Sequence, residues 1–448
     1  MIQNSRGSAA WPPVGRHGLR ALLLACGAAA WLASGASAGV VYVNASAAPG
    51  GSGTSWSDAL TDLQAAIAQA VSGDEIWVAQ GVYRPAATDR TASFTLKNGV
   101  TILGGFTGFE DSALQRNPAS TSTLSGEIGG PGITDNSFHV VRAENVDGTA
   151  VLDGFTITSG YAGGGGPSDS VFGGGVYIRN ASPTLRSLVI SNNSASDTGG
   201  GMFIAHGNVR LERVFFFGNR GIATGGKGGA IGAGTATLTL VNCVFSNNFT
   251  FSASGGGAIH LVNTTLSVAS STFNANSASF GAVVAVTNNS AASFINSIIA
   301  GSGGASTFFG GTAPSVTFSI VQGGYAGAGN LATAPSFVNA PAANFRLAPG
   351  SAGIDAGSNA GVATIPLDYD LSPRVLAGTV DMGAFEFIAR TCTCDLDRDG
   401  FIDNTDFVRF ANAYNNFLDR GGDFNADLVT DNSDFVIFAQ AYNDFECP

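Results

Sequence analysis

Charged side chains are scarce in this chain. They make up 12% of its 448 residues, and no Asp, Glu, Lys or Arg occurs between Gly228 and Phe345. Acid and base chemistry needs ionisable groups, and this stretch offers only His260, Cys243 and Tyr325. Carboxylates or basic residues for catalysis therefore have to come from other parts of the chain.

Long apolar runs are also lacking, except near the N-terminus. Arg6, Arg16 and Arg20 precede the run ALLLACGAAAWLAS, and a small-residue motif, ASA, follows it. This pattern predicts a secretory signal that is removed before Gly39. The run is short for a bilayer span, so we expect no transmembrane segment after cleavage. Attachment of a lipid at Cys26 is the alternative interpretation.

Basic residues are outnumbered. The chain has 20 Lys and Arg against 32 Asp and Glu, a net charge of −12, which argues against nucleic acid as a partner. From Cys392 onward there are 3 Arg against 12 acidic residues, so most of the negative charge lies in the tail. These carboxylates are either solvated or arranged around a cation.

Glycine is abundant but follows no three-residue period. The 63 Gly therefore do not form a collagen, and 44% hydrophobic residues argue against disorder. Segments such as GGGMFIAHGNVRLERVFFFGN and GGAIGAGTATLTLVNCVFSNN recur instead. The last glycines of successive copies are Gly175, Gly201, Gly229, Gly257 and Gly281, at steps of 26, 28, 28 and 24 residues.

Repeats of this length, with short strands and no helix, predict the coils of a parallel β-helix. Stacking puts equivalent residues on top of one another, which predicts a side-chain ladder of Asn193, Asn219, Asn248 and Asn276. The repeated glycines would supply left-handed conformations at the opposite corner. A phosphate-binding loop is not favoured, because no helix follows these glycines.

The regions around the repeats are interpreted as caps and a tail. Leu60, Leu63, Ile67 and Val71 lie on one face of a helix that would end at Gly73 and cover the open end of the stack. The predicted regions are a signal peptide at 1–38, an N-terminal cap and first coils at 39–150, β-helix repeats at 151–330, C-terminal coils and a cap at 331–390, and a tail at 391–448.

The tail contains two loops in which acidic residues alternate. Alternate oxygen ligands around a sharp turn are typical of EF-hand loops, which bind Ca²⁺. In the second loop Leu428 stands where the first has Gly400, so we expect weaker binding there. The predicted ligands are Asp395, Asp397, Asp399, Phe401, Asp403 and Asp406 in the first loop, and Asp423, Asn425, Asp427, Val429, Asp431 and Asp434 in the second.

Three resemblances follow from these motifs. The alternation of GGAI with FSNN and FNAN resembles the repeats of polymorphic outer-membrane proteins, and residues 40–390 look like the pectin-lyase-like superfamily. The paired loops with their following helical segments resemble a dockerin. Together they imply an all-β right-handed parallel β-helix with an N-terminal capping helix and a small α-helical calcium-binding C-terminal domain. They also imply a cohesin-like protein as a candidate partner.

A catalytic centre is harder to place. Enzymes of the pectin-lyase-like superfamily use close carboxylates, or a carboxylate-bound calcium with a basic residue. Arg186, Glu212 and Arg213 are predicted to meet on one face after stacking, either as a catalytic or sugar-binding cluster or as a salt-bridged outer face. Three histidines without metal-ligand spacing are expected on the surface or in turns: His139, His206 and His260.

The cysteines have structural interpretations. Cys243, in LTLVNCVFSNN, is predicted to be a buried thiol in a strand. In an oxidising compartment Cys447 could pair with Cys392 or Cys394 across the tail, and the sequence does not decide between the two.

The sequence thus predicts an exported, non-catalytic protein of the cell surface or extracellular space. It would be associated with glycans or act like an adhesin, with a polysaccharide or another surface component as its partner. The alternative is a polysaccharide lyase or a glycoside hydrolase.

Overall fold

The computed structural model describes residues 39–117, 120–252, 255–303, 306–376, 378–388, 394, 396, 402–414, 424 and 430–444. The predicted signal peptide, Cys392 and Cys447 lie outside these residues. So do eight of the predicted calcium ligands, namely Asp395, Asp397, Asp399, Phe401, Asp423, Asn425, Asp427 and Val429.

Short strands dominate the described chain. The first fourteen are β1 Val40–Val43, β2 Glu75–Ala79, β3 Gly81–Tyr83, β4 Phe94–Thr95, β5 Thr101–Phe106, β6 Ser122–Ser125, β7 Val141–Glu144, β8 Val151–Asp153, β9 Phe155–Thr158, β10 Tyr161–Ala162, β11 Val176–Arg179, β12 Thr184–Arg186, β13 Val189–Ser191 and β14 Ser194–Ala195. The next nine are β15 Met202–Glu212, β16 Phe215–Phe217, β17 Arg220–Gly221, β18 Ile231–Val241, β19 Val244–Ser246, β20 Phe249–Thr250, β21 Ile259–Val262, β22 Thr265–Ala269 and β23 Thr272–Asn274. The last eight are β24 Val284–Thr287, β25 Ala291–Ile295, β26 Ile298–Ala300, β27 Phe308–Gly310, β28 Ser315–Thr317, β29 Ile320–Val321, β30 Phe337–Asn339 and β31 Asn344–Leu347.

Helices are few and short. The α-helices are α1 Leu63–Gln69, α2 Asn404–Tyr414 and α3 Asn432–Asp444, and the 3₁₀ turns are Trp56–Asp58, Ala113–Gln115, Ala340–Ala342 and Asn359–Val362. None of the helices in the described part of the chain combines the length and the apolar character needed to span a bilayer.

The strands form three parallel sheets that wrap around one core. The first sheet has 16 strands and includes the order β1-β2-β5-β8-β12-β15-β18-β21-β24-β27. The second has nine strands, in the order β29-β26-β23-β19-β16-β13-β9-β6-β3, and the third is β10-β14-β17-β20. Only β30 and β31 pair in antiparallel fashion among the described strands. This is the predicted parallel β-helix.

One coil takes the chain around all sides of the stack. After β11, β12, β13 and β14, the long strand β15 pairs with both β11 and β12, so that Val176 lies beside Met202 and Thr184 beside Arg210. That step of 26 residues equals the first predicted repeat step. The four structural steps are 26, 29, 28 and 25 residues, so the steps read from the glycines are right to within one residue.

The predicted asparagine ladder lies at the corner that follows the second sheet. The side-chain amide of Asn193 donates to Asn219 at 3.1 Å, that of Asn219 to Asn248 at 3.0 Å, and that of Asn248 to Asn276 at 2.9 Å. All four side chains are fully buried. Because each amide is satisfied by its neighbour, every coil depends on the next for a hydrogen bond worth about 1 kcal/mol.

The glycines differ from the prediction in detail. The left-handed conformation falls on a glycine that precedes the predicted repeat position, as at Gly228 with φ of 61° and Gly256 with φ of 64°. The glycine that follows allows close stacking instead, since a Cβ on Gly229 would lie 2.4 Å from the carbonyl oxygen of Gly257. The two positions thus exclude side chains for different reasons.

The predicted N-terminal helix is shorter than expected. Leu60 lies outside α1 and pairs with Val43 as an isolated β-bridge, while Val71 is exposed. Within α1, Leu63 and Ile67 are buried in the main core. The helix therefore packs on the first coils, and its action as a cap stays a prediction.

Residues 344–376 and 378–388, here called the C-terminal segment, lie along the side of the β-helix. Val362 and Val380 pack against Val241. The amide of Asn296 donates to Ser358 O at 2.9 Å and accepts from Ser358 N at 2.7 Å. This segment covers part of the outer face of the first sheet.

Candidate functional site

One column of residues on the first sheet points away from the core. Their sequence neighbours Leu152, Leu185 and Leu211 are all buried in the core, and side chains alternate between the two faces of a strand. From the N-terminal end, the residues in register are Trp77, Leu103, Asp153, Arg186, Glu212, Val241 and Ala269.

Both ends of this column are covered by other parts of the chain. Leu103 packs with Phe106 and Ala113 at one end, and Val241 packs with Val362 of the C-terminal segment at the other. The three charged positions between them, here called the charged window, are Asp153, Arg186 and Glu212.

Asp153 is the buried member of the charged window. Its Oδ2 accepts hydrogen bonds from Arg186 Nε at 2.8 Å and from Arg116 Nη2 at 3.2 Å, and its side chain is only 3% exposed. Its other oxygen, Oδ1, has no hydrogen-bond partner in the part of the chain that the structure describes. One carboxylate thus holds two guanidinium groups at the outer face of the sheet.

Glu212 is paired in a similar way. It forms a short ion pair with Arg213 Nη1, and Arg210 Nη2 lies 3.7 Å from its Oε2. Arg213 occupies the corner after β15, with φ of 54°, and so lies beside the face and not on it. The two carboxylates of the charged window are therefore both neutralised by arginine.

A groove with a volume of about 220 Å³ opens beside these residues. Arg186 and Arg210 are the basic side chains in its wall, 41% and 51% exposed. Its lining residues are Ser182, Pro183, Thr184, Leu185, Arg186, Asn208, Arg210 and Glu212. With Arg116 and Arg213, four guanidinium groups meet two carboxylates here, an excess of positive charge in a chain of net charge −12.

The predicted cluster is only part of this site. The structure brings Arg186 and Glu212 into register and Arg213 into contact with Glu212, but Arg186 bonds to Asp153. Asp153 could have been found by aligning TAVLDGFTITSG with the repeats, since β8 is one coil before β12. Arg116 comes from a loop outside the repeat pattern, and no sequence signal indicates it.

Two histidines predicted for the surface are buried. His139 and His260 are each only 2% exposed. His260 lies in β21, in register with Gly232 and Ala285 of the neighbouring strands. Burial lowers the pKa of both side chains to about 4. His139 Nδ1 lies 3.0 Å from Gly173 O, and its ring centroid is 4.8 Å from that of Tyr177. His206 is exposed, as predicted.

Cys243 is fully buried in the main core, as predicted, but it lies between β18 and β19 and not in a strand. Burial raises the pKa of its thiol to about 12, so the group is neutral and unreactive at ordinary pH.

The described part of the tail is built from two similar halves. Tyr414 donates to the side chain of Asn432 at 2.7 Å, and Tyr442 donates to Asn404 at 2.6 Å, so each helix ends against the start of the other. Cys394 is buried in the apolar core between the helices. The duplication seen in the sequence is thus a structural duplication.

Four predicted calcium ligands are described, Asp403, Asp406, Asp431 and Asp434. Asp406 accepts backbone N–H bonds from Leu396 at 2.6 Å and from Asp403 at 2.9 Å. Asp434 accepts the two equivalent bonds at 2.7 and 2.9 Å. No group of three or more metal-binding side chains occurs among the described residues. The same two backbone bonds recur in both halves of the tail.

We compared the chain with protein families, curated proteins and solved structures. No family model and no curated protein matches the chain. Among solved structures, a pectate lyase is similar over 79% of this chain and 97% of its own, with 13% sequence identity and a TM-score of 0.38. A likeness of this degree does not extend to an activity or a substrate.

Proposed function

We propose that the protein is an exported β-helix that binds an acidic polysaccharide without cleaving it. The observation that carries this proposal is the groove lined by Arg186 and Arg210, beside which Arg116 and Arg213 bind the two carboxylates of the charged window. Guanidinium groups bind carboxylates and sulfates through paired hydrogen bonds. Arg186 and Arg210 are exposed enough to do so.

The ion pairs argue against glycoside hydrolysis at this site. Hydrolysis of a glycosidic bond uses two carboxyl groups, one of which donates a proton. Asp153 is buried between Arg116 and Arg186, and Glu212 is held by Arg213, so neither is placed to donate one. A lyase or a glycoside hydrolase is the competing outcome of the experiment below.

The test is a binding and turnover assay on alginate, dextran sulfate and neutral dextran. We expect binding to the two acidic polymers, no release of reducing ends or unsaturated products, and about 10- to 100-fold weaker binding after Arg186→Gln with Arg210→Gln, since two charge-assisted hydrogen bonds are lost. Arg84→Gln, an exposed arginine outside the groove lining, is the control. Unchanged affinity in the double variant contradicts the proposal, and product release identifies an enzyme.

We propose further that the tail binds Ca²⁺ and attaches the protein to a surface component or a cohesin-like partner. The buried carboxylates of Asp406 and Asp434, fixed by backbone N–H groups in the same way, support paired sites. A hard cation would join the carboxylates of each loop, which otherwise repel one another. Metal binding would hold the ligand residues of each loop in one arrangement and so add to the stability of the tail.

Calorimetric titration of the full chain with Ca²⁺ tests this. We expect two sites of unequal affinity, the first loop being tighter because Gly400 allows the turn that Leu428 resists. Asp399→Ala should therefore weaken overall binding more than Asp427→Ala, each variant serving as the control for the other. Two equal sites, or no heat on addition of Ca²⁺, contradicts the assignment.

A further inference from the structure

Residues 107–117, here called the Phe109 loop, carry the two most exposed large hydrophobic side chains among the described residues. Phe109 is 89% exposed and Leu114 is 96% exposed. A single exposed apolar residue is ordinary, but two on one short loop are a feature of contact surfaces.

This loop is held rigidly. The carboxylate of Glu110 accepts hydrogen bonds from Thr107 N at 2.6 Å, Thr107 Oγ1 at 2.7 Å, and Gly108 N and Phe109 N at 3.0 Å each. Desolvation pushes the pKa of Glu110 up, but the bonds from Thr107 and Phe109 outweigh it and lower the pKa to about 2. Phe109 is therefore presented on a fixed backbone, which reduces the entropy lost on binding.

The Phe109 loop also borders the charged window. Ala113 packs against Leu103, the residue in register with Asp153. Arg116, near the end of the loop, donates to Asp153 Oδ2 at 3.2 Å and to the carbonyl oxygen of Gly104 at 3.5 Å. The loop thus lies beside Asp153 on the outer face of the sheet, at the N-terminal end of the charged window.

We propose that Phe109 and Leu114 contact the apolar face of a sugar ring in the same polysaccharide chain whose anionic groups bind Arg186 and Arg210. This inference rests on the function proposed above and extends the binding site from the groove to the Phe109 loop. A pyranose ring has a face of C–H groups and an edge of polar groups. Ligand sites commonly combine an apolar wall with a few charged groups that fix orientation.

The contact between the Phe109 loop and the charged window favours this occupant over a second copy of this chain and over a lipid surface. A second copy of this chain would bring another net charge of −12 towards the first, which opposes association. An anionic lipid surface is disfavoured for the same reason. An acidic polysaccharide meets the same long-range repulsion, but an extended chain, unlike a flat lipid surface, can enter the groove with its anionic groups and reach the loop with its C–H surface.

The test measures the affinity of the full chain for alginate and for dextran sulfate, which separates carboxylate from sulfate as the anionic group. Phe109→Ala with Leu114→Ala should weaken binding about 5- to 20-fold at an unchanged melting temperature, because an aromatic contact and a smaller apolar one are lost. Phe109→Trp should keep the affinity. Phe251→Ala, another exposed phenylalanine, is the control and should bind like the unaltered chain.

The outcomes separate the two proposals. If the unaltered chain binds neither polymer, the proposed function fails and this inference fails with it. If Arg186→Gln with Arg210→Gln weakens binding but Phe109→Ala with Leu114→Ala binds like the unaltered chain, this inference alone is wrong. Another outcome is that the unaltered chain self-associates or binds anionic lipid vesicles. If Phe109→Ala with Leu114→Ala abolishes that association, the loop belongs to those partners and this inference is overturned.

Discussion

Replacing Arg374 with methionine should destabilise the C-terminal segment by about 3–5 kcal/mol at mildly alkaline pH, where the buried carboxyl groups around it are charged and lose their positive partner. The side chain of Arg374 is 1% exposed, and its Nη1 lies 3.3 Å from Glu386 Oε1. Its Nη2 donates to the carbonyl oxygens of Asp381 at 2.9 Å and Gly383 at 2.7 Å. Asp368, which accepts the backbone N–H of Glu386 at 2.9 Å, is buried in the same cluster.

The loss should grow with pH. Desolvation raises the pKa of Glu386 to about 8, and it also raises the pKa of Asp368 and of Asp381. A carboxyl group whose pKa is raised by folding contributes stability below its ordinary pKa, and for Glu386 that contribution is lost as pH rises from about 4.5 to about 8. Arg374 opposes the loss by favouring the charged forms, so its removal makes the decline steeper.

Hydrogen exchange in the C-terminal segment, measured at acidic and at mildly alkaline pH, checks this result. The control is Arg346→Met, the same change at an exposed arginine of the segment that binds Asp370 at 2.7 and 2.8 Å. An exposed pair of this kind contributes at most about 1 kcal/mol. An effect of Arg374→Met that is no larger than the control, or that does not vary with pH, contradicts the neutralising role.

The repeat pattern predicted the fold because a β-helix is nearly one-dimensional. Each coil contacts its neighbours in a fixed register, so residues at equal offsets, such as Asn193 and Asn219, stack directly. The same reasoning placed Arg186 beside Glu212. Sequence alone therefore locates residues within the repeats to within one position.

What the sequence did not predict comes from segments that leave the repeat and fold back on it. Arg116 reaches Asp153 from the Phe109 loop, and the C-terminal segment covers Val241. His260 alternates with core residues like an outward-facing side chain, yet it is buried. The repeat period could not predict this, since it carries no information about what covers the sheet. Such contacts depend on three-dimensional packing and not on a local pattern.

Phe245→Asp should abolish soluble expression, the largest effect we expect from any single change. Phe245 lies in β19 at the centre of the stack and is fully buried. Its ring stacks on Phe216 at 4.8 Å with an interplanar angle of 7°, and on Phe273 at 4.6 Å with an angle of 3°. An aspartate there would bury an unpaired charge between two aromatic rings.

A graded series separates loss of packing from burial of charge. Phe245→Ala should leave a cavity that costs about 3–5 kcal/mol, which lowers the melting temperature but still allows folding. Ser267→Asp, on an exposed position of β22 in the next coil, should express and melt like the unaltered protein. The three variants are compared by soluble yield and thermal unfolding. We expect the coil stack to tolerate charge only on its outer face. Normal yield and an unchanged melting temperature for Phe245→Asp would show that this side chain is not interior.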